Sequence, residues 1–192
     1  MITITTKNIT NEIIAGEILA NEIITYDFFV SRFGHGLIAG TALGICDIAF
    51  ADSPHAELVH ALEQQNSGRQ IIHAPGHFAA DCRDMFSLHE AECNLDMHGS
   101  VFQVEVWSEL RRIPVGQTIS YQQLAHRVGR PRAVRAVANA VAKNRIAFLV
   151  PCHRVIRTDG SIGGYRWGSA RKAEMLDWEN SMAAETGRAN IS

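Results

Sequence analysis

A cysteine and a histidine stand side by side in the sequence Pro151-Cys152-His153-Arg154-Val155, directly after the apolar run 146–150. A nearby imidazole can take the proton of a thiol and stabilise the thiolate, which is the nucleophilic form of cysteine. Burial acts in the opposite direction, because it raises the thiol pKa and makes most apolar cysteines inert. Successive side chains of an extended chain also point apart, so adjacency alone does not ensure contact. A reactive nucleophile and a packed, inert thiol therefore both stay open.

Positive charge is concentrated in the same part of the chain. Residues 111–172 contain 13 Lys and Arg and a single acid, Asp159, whereas residues 1–110 contain four bases and 15 acids. The overall net charge of −2 hides this asymmetry. A strongly basic surface suits a phosphate backbone, because each neutralised phosphate releases condensed counterions. The charge pattern favours a surface that contacts nucleic acid over a basic face that is merely solvated.

Two short helices are predicted within this basic segment, before the cysteine. Ser120 and Gln123 form a capping-box pattern at the start of the first helix, and Gly129-Arg130-Pro131 ends it. The second helix is predicted from about 132 to 143. A helix from about 100 to 113, which ends at Pro114-Val115-Gly116, precedes the pair. Two helices joined by a glycine-containing turn predict a helix-turn-helix.

The outward face of the second helix is predicted to carry small residues around one long cation. Ala133, Ala136 and Ala140 surround Arg135 in this interpretation. Small side chains would let the backbone approach a duplex closely, while the arginine reaches into it. An alanine-rich helix packed on its neighbours is the alternative. Together with the local charge, the pattern favours DNA contact.

The remaining elements divide the chain into four parts. Apolar, β-rich runs between Tyr26 and Phe50 predict antiparallel hairpins, and a helix is predicted to start at Ser53-Pro54. We expect a linker within 70–98 and a buried strand over 146–150 that carries Cys152 to the edge of the core. The predicted parts are an N-terminal arm 1–22, an N-terminal α/β domain 23–97, a C-terminal DNA-binding domain 98–182 that carries Cys152 and a tail 183–192.

The motifs together resemble the O6-alkylguanine-DNA alkyltransferases, in their bacterial form. The similarity runs from about Phe102 to Glu179, and its matching segments occur in the family's order. They are Ser120-Tyr121-Gln122-Gln123-Leu124-Ala125, Arg135-Ala136-Val137, Asn144, Pro151-Cys152-His153-Arg154-Val155 and Gly163-Gly164-Tyr165. The resemblance implies an α/β (α+β) fold, with a small N-terminal ribonuclease-H-like sheet domain and a C-terminal helical domain that contains a winged-helix-like helix-turn-helix.

The resemblance also implies the catalytic residues. Cys152 would be the nucleophile that keeps the alkyl group, and His153 would act as its base through a bound water. Glu179 would orient His153. Tyr121 would help rotate the target nucleotide and then hydrogen-bond the guanine ring. The implied activity is direct, single-turnover transfer from O6-alkylguanine, with O4-alkylthymine as a further substrate left open.

Further residues are implied to bind the extruded base and the duplex. The implied substrate-binding residues are Asn144, Val155, Gly163, Tyr165 and Arg166. The implied DNA-binding residues are Arg130, Arg132, Ala133, Arg135 and Ala136. Arg135 would enter the base stack from the minor groove, and Arg130 and Arg132 would contact phosphates without reading sequence. The bulky Trp167, next to Arg166, would either narrow the pocket or pack against Tyr165.

No cofactor is expected, because a thiolate can displace guanine in one step. No metal is expected either, since Cys46, Cys82 and Cys93 show no ligand spacing. We expect a cytoplasmic monomer that acts on lesion-containing double-stranded DNA and does not associate with membranes. A DNA-binding module that only marks lesions and a thiol hydrolase are the alternatives. The cysteine disfavours the first, and the basic helix pair disfavours the second.

Overall fold

A computed structural model describes residues 23–52, 55–86 and 93–189 of the 192-residue chain. The predicted arm 1–22 and the predicted helix start at Ser53-Pro54 lie outside these residues. The elements in chain order are β1 (Ile23–Ser31), β2 (Gly34–Thr41), β3 (Gly44–Ala51), α1 (Ala56–Gln65), β4 (Gln70–His73), α2 (Ala79–Met85), α3 (Val101–Arg111), β5 (Ile119–Ser120), α4 (Tyr121–Arg127), α5 (Val134–Ala142), a 3-10 turn (Cys152–Arg154), β6 (Val155–Ile156) and α6 (Ser169–Ala189).

The N-terminal part is a four-stranded sheet covered on one face by α1. Strands β1, β2 and β3 form the predicted antiparallel hairpins, and β4 adds to β1 in parallel, so that the order is β3-β2-β1-β4. Alternation of side chains along the strands gives the sheet two apolar faces. Leu37 packs with Leu58 and Leu62 of α1, while Ile38 and Ile48 face the larger core shared with the helices. The predicted fold class is confirmed.

The segment 70–98 is more than the linker that the sequence predicts. It contains the edge strand β4 and the helix α2, and Leu95 forms a further bridge to Ile45. Strand β4 has four residues and lies at the edge of the sheet, so its sequence carries little of the alternation that marks longer strands. The structure therefore assigns much of this segment to the N-terminal fold.

Three helices, α3 to α5, pack together in the C-terminal part. The predicted capping box is confirmed, since the amide of Gln123 donates to Ser120 Oγ (3.1 Å) and the amide of Ser120 donates to Gln123 Oε1 (2.7 Å). Gly129, at φ +69°, allows the turn between α4 and α5. Trp107 of α3 donates from Nε1 to the carbonyl of Ala140 at 2.9 Å. These contacts fix α5 against the body of the protein.

The apolar run 146–150 is buried as predicted, but it is not a strand. Ile146 makes one bridge to Ile48, and the chain then turns back through Phe148 at φ +67°. A phenylalanine in this left-handed region is strained, so the conformation depends on its surroundings. The Phe148 ring packs against Phe33, Phe86, His153 and Trp178, which holds the turn in place. A turn rather than a strand delivers Cys152.

Two arginines join the sheet to the helical part. Arg145 forms an ion pair with Asp47 at 2.9 Å, and Arg171 donates to the carbonyl of Phe33 at 2.7 Å. Helix α6 continues past residue 182, where the sequence predicts the end of the C-terminal domain, and reaches Ala189. The division into domains stays a prediction. No helix among the described residues has the length and apolar character needed to span a membrane.

Candidate active site

Cys152 begins the 3-10 turn and is buried, with 5% of its surface exposed. Burial raises the pKa of its thiol to about 11, although the Asn144 side chain and the Lys172 ammonium act to lower it. The thiol of the resting protein is therefore neutral near pH 7. Reaction at this sulfur requires a base that removes its proton.

Asn144 connects the end of α5 to the cysteine. Its Nδ2 donates to the carbonyls of Ile146 (3.2 Å) and Val150 (2.9 Å) and to Cys152 Sγ (3.2 Å). Its Oδ1 accepts from the amide of Ile146 at 3.0 Å. One buried side chain thus fixes both ends of the turn 146–150 and contacts the sulfur. The structure therefore places Asn144, an implied substrate-binding residue, in contact with the sulfur that would react.

His153 and Glu179 form a buried pair next to the cysteine. Nε2 of His153 lies 2.8 Å from Oε1 of Glu179, and both side chains are almost completely inaccessible to solvent. Burial lowers the pKa of His153, and this effect outweighs the opposing attraction of Glu179. Nδ1 of His153 makes no hydrogen bond to any described residue. A neutral imidazole with a free Nδ1 is able to accept a proton.

Glu179 has two further partners that sequence reasoning did not assign. Arg154 donates to both of its carboxylate oxygens, at 2.7 to 3.0 Å, and the amide of Gly116 donates to Oε2 at 3.3 Å. Burial acts to raise the pKa of Glu179, but the hydrogen bonds from His153 and Arg154 hold it at about 2. Glu179 is therefore a carboxylate at any pH at which the protein would work.

A buried lysine lies on the same face of α6 as Glu179. Lys172 donates from Nζ to the carbonyl of Val155 at 2.6 Å. Burial lowers its pKa to about 8, while the nearby Cys152 opposes that decrease. Val155 itself is buried and pairs with Ile119 across β5 and β6. Val155 is an implied substrate-binding residue, and its carbonyl keeps one lone pair beyond the bond to Lys172.

Two tyrosines lie within electrostatic reach of the sulfur. Burial and the charge of a Cys152 thiolate both raise the pKa of Tyr121 and of Tyr165. Both phenols therefore keep their protons and can donate hydrogen bonds. Trp167 is buried and packs edge-on against Tyr165, with ring centroids 5.2 Å apart, which is the packing role left open above.

Gly163 and Arg166 belong to the segment that leads into α6. Gly163 has φ +72°, a conformation that favours glycine. The side chain of Arg166 lies 3.4 Å from the carbonyl of Asn144 and 3.3 Å from Gln65 Oε1. The guanidinium thus links α1 to the end of α5. The structure thus brings Arg166 close to Asn144, and the resemblance implies that both are substrate-binding residues.

The proposed DNA-binding residues lie on or just before α5. Arg132, Arg135 and Ala136 are exposed, and Ala133 is half-buried at the N-cap. Arg130 is exposed but lies against the Phe102 ring and 3.5 Å from Glu105. The sequence-based placement of Ala140 on the outward face is wrong. Ala140 is 3% exposed, because α3 packs there.

Arg154 and Lys172 are the residues near the cysteine that sequence reasoning left without a role. Arg154 lies inside the motif, but nothing in the pattern shows which way its side chain points. Lys172, Met175 and Glu179 recur at helical spacing and are all buried, so a lysine on an apolar face was the available signal.

Comparisons with known proteins identify the family that this chain resembles. The family model described as "6-O-methylguanine DNA methyltransferase, DNA binding domain" matches residues 101–181. A Mycobacterium tuberculosis OGT crystallised with DNA is 32% identical, with a TM-score of 0.68, and the match covers 82% of this chain and 93% of that one. The chain belongs to the O6-methylguanine-DNA methyltransferase family. The α/β sheet domain followed by a helical domain is therefore the architecture of this methyltransferase family.

Curated relatives extend the likeness. The Escherichia coli "Bifunctional transcriptional activator/DNA repair enzyme Ada" is 44% identical over 148 residues, which are 74% of this chain and 42% of that protein. The Mycobacterium bovis "Methylated-DNA--protein-cysteine methyltransferase" is 46% identical over 96 residues, 50% of this chain and 58% of that protein. This family member thus spans less than half the length of Ada.

Proposed function

We propose that this chain repairs DNA by moving the alkyl group of O6-alkylguanine irreversibly to Cys152, as a methylated-DNA–protein-cysteine methyltransferase. The observation that carries the proposal is the buried Cys152 thiol held by Asn144 beside the His153–Glu179 pair. Membership of the family and the exposed arginines around α5 support DNA as the partner. We further propose that the protein acts as a monomer on DNA in the cytoplasm.

The proposed reaction is one displacement. The Cys152 proton passes through a water to Nδ1 of His153, and the thiolate attacks the alkyl carbon. The carbon–O6 bond breaks, and its electron pair stays on guanine. Tyr121 stabilises the departing guanine anion by donating a hydrogen bond, because its raised pKa keeps the phenol protonated. The thioether product does not hydrolyse, so each molecule acts once.

The target carbon lies inside a duplex, so the proposed substrate must first leave the base stack. We assign insertion into the gap to Arg135, phosphate contacts to Arg130 and Arg132, and close approach to Ala133 and Ala136. The base would then lie between Tyr165 and Val155, with Gly163 and Arg166 at its edge. Minor-groove entry fits the small residues of this face.

Intact-mass measurement tests the proposed function. The wild-type protein, mixed with duplex DNA containing one O6-methylguanine, should gain the mass of one methylene, and Cys152→Ala should gain none. Cys46→Ala is the matched control, because Cys46 is also a buried free thiol and lies in the sheet. An unchanged mass of the wild type, or a mass gain that persists in Cys152→Ala, would contradict the proposal.

Arg135→Ala should slow methyl transfer from duplex DNA roughly tenfold, because the gap left by the extruded base is no longer filled and unstacking costs a few kcal/mol. Transfer from free O6-methylguanine base should be unchanged, since no stack is opened. Lys143→Ala is the control, because it removes a cation at the other end of α5. Equal slowing on duplex and free base would argue against insertion by Arg135.

A further inference from the structure

Arg154 has more hydrogen bonds to Glu179 than His153 has. Its Nη2 donates to Oε1 at 2.7 Å, and its Nε lies 3.0 Å from both carboxylate oxygens. Its Nη1 donates to the carbonyl of Ile113. The guanidinium is 9% exposed and the carboxylate 1%. The negative charge of Glu179 is therefore already balanced by a buried arginine.

This arrangement determines where the proton of His153 lies. A carboxylate only accepts hydrogen bonds, so Nε2 of His153, at 2.8 Å from Oε1, carries the hydrogen. Nδ1 has no hydrogen-bond partner among the described residues, so it is the ring nitrogen left to accept a proton. The geometry favours the neutral tautomer with its hydrogen on Nε2.

The other groups that face His153 favour the same charge state. Lys172 on α6 and Arg154 on the 3-10 turn are cationic, Glu179 is the anion, and Tyr165 and Cys152 are neutral at rest. An imidazolium would add a third cation to a buried cluster that holds one carboxylate. Arg154 and Lys172 accordingly act with burial to lower the pKa of His153, and Glu179 alone opposes them.

We propose that Arg154 is a positioning residue that neutralises Glu179 and thereby keeps His153 as a neutral imidazole, with Nδ1 free to accept the Cys152 proton. The step that uses Nδ1 rests on the proposed function. The charge state of His153 is a property of the resting protein and does not depend on that function. Without the arginine, the carboxylate would draw a proton onto His153 and remove the base.

Arg154→Gln should move the acid limb of the pH–rate profile for methyl transfer upward by about one pH unit. The ratio of the rate at a pH below the wild-type limb to the rate at pH 8.5 should fall about tenfold, and this ratio is insensitive to loss of folded protein. Arg154→Lys, which keeps the charge, should leave the limb close to its wild-type position. An unmoved limb in Arg154→Gln, or an equal shift in both variants, would overturn the proposal.

Arg171→Gln provides the matched control. Arg171 is also a buried arginine, but its hydrogen bonds go to the carbonyls of Phe33 and Trp167 and to the carboxylate of Asp52. None of these bonds involves Glu179. We expect Arg171→Gln to lower stability and leave the pH ratio at its wild-type value. A shift as large as that of Arg154→Gln would mean that the profile reports loosened packing, and the proposal would fail.

Nitrogen NMR tests the charge state in the wild-type protein itself and without alkyl transfer. In protein labelled with 15N-histidine, the His153 signals are assigned by their absence in His153→Gln. We expect a neutral ring with hydrogen on Nε2 at pH 6, where an ordinary histidine is mostly protonated. A protonated ring at pH 6, or hydrogen on Nδ1, would overturn the proposal even if the protein transfers methyl groups normally.

Discussion

Glu179→Gln should lower the free energy of unfolding by about 3–5 kcal/mol at pH 7, because it leaves the buried Arg154 guanidinium without its counter-charge. Arg154 and His153 both bond to this carboxylate, which is 1% exposed. The lowered pKa of Glu179 gives a similar free energy. A carboxyl with a pKa of about 2 instead of 4.5 contributes roughly 3 kcal/mol to stability.

The sign of the pH dependence follows from the lowered pKa. The folded protein binds the proton of Glu179 more weakly than the unfolded chain does, so the contribution is complete above about pH 4.5 and disappears as the pH falls toward 2. Urea unfolding at a series of pH values should show the wild-type advantage over Glu179→Gln shrinking across this window. An advantage that stays constant between pH 7 and pH 2 would contradict the assignment.

Glu105→Gln is the control for this experiment. Glu105 also contacts an arginine, Arg130, at 3.5 Å, but both side chains are about half exposed. Solvent screens such pairs, so the loss should be below about 1 kcal/mol. A loss from Glu105→Gln as large as that from Glu179→Gln would show that burial does not set the strength of these pairs.

The sequence predicts the elements near the cysteine well where local chemistry specifies them. Ser120 and Gln123 define a helix start by reciprocal hydrogen bonds, and hairpins follow from the β-rich runs between Tyr26 and Phe50. Such signals lie within a few residues of one another. They need no knowledge of the rest of the fold, which is why both predictions are confirmed.

Other features depend on contacts between distant residues, and these were missed or placed wrongly. Ala140 faces inward because Trp107 of another helix occupies that side. The run 146–150 turns because Asn144 binds its carbonyls and the core accepts Phe148 in a strained conformation. Its composition is that of a strand, and only the tertiary contacts decide otherwise.

The candidate site shows the same division. The motif brings Cys152, His153 and Arg154 together in the chain, whereas Glu179 enters from a helix 25 residues beyond Arg154. Family resemblance supplied Glu179, and neither it nor composition indicated that Arg154 and Lys172 are buried there. Charges that stabilise a site from another element become visible only in three dimensions.

Asn144→Ala should slow methyl transfer about 10- to 100-fold, because one amide group supports both the sulfur and the turn that carries it. The variant loses the hydrogen bond that lowers the pKa of Cys152, so less thiolate forms at a given pH. It also removes the acceptor of the buried Ile146 amide, while the carbonyls of Ile146 and Val150 keep their backbone donors. An unsatisfied buried group costs about 1–3 kcal/mol.

Single-turnover rates and urea unfolding of the same variants separate the two effects. Asn139→Ala is the matched control, since Asn139 is an exposed asparagine on the neighbouring helix α5. If the slowing arises from the sulfur contact, raising the pH should recover much of the Asn144→Ala rate, because thiolate forms more readily. A rate that is equally low at every pH would show that Asn144 acts by holding the turn and not by bonding to the thiolate.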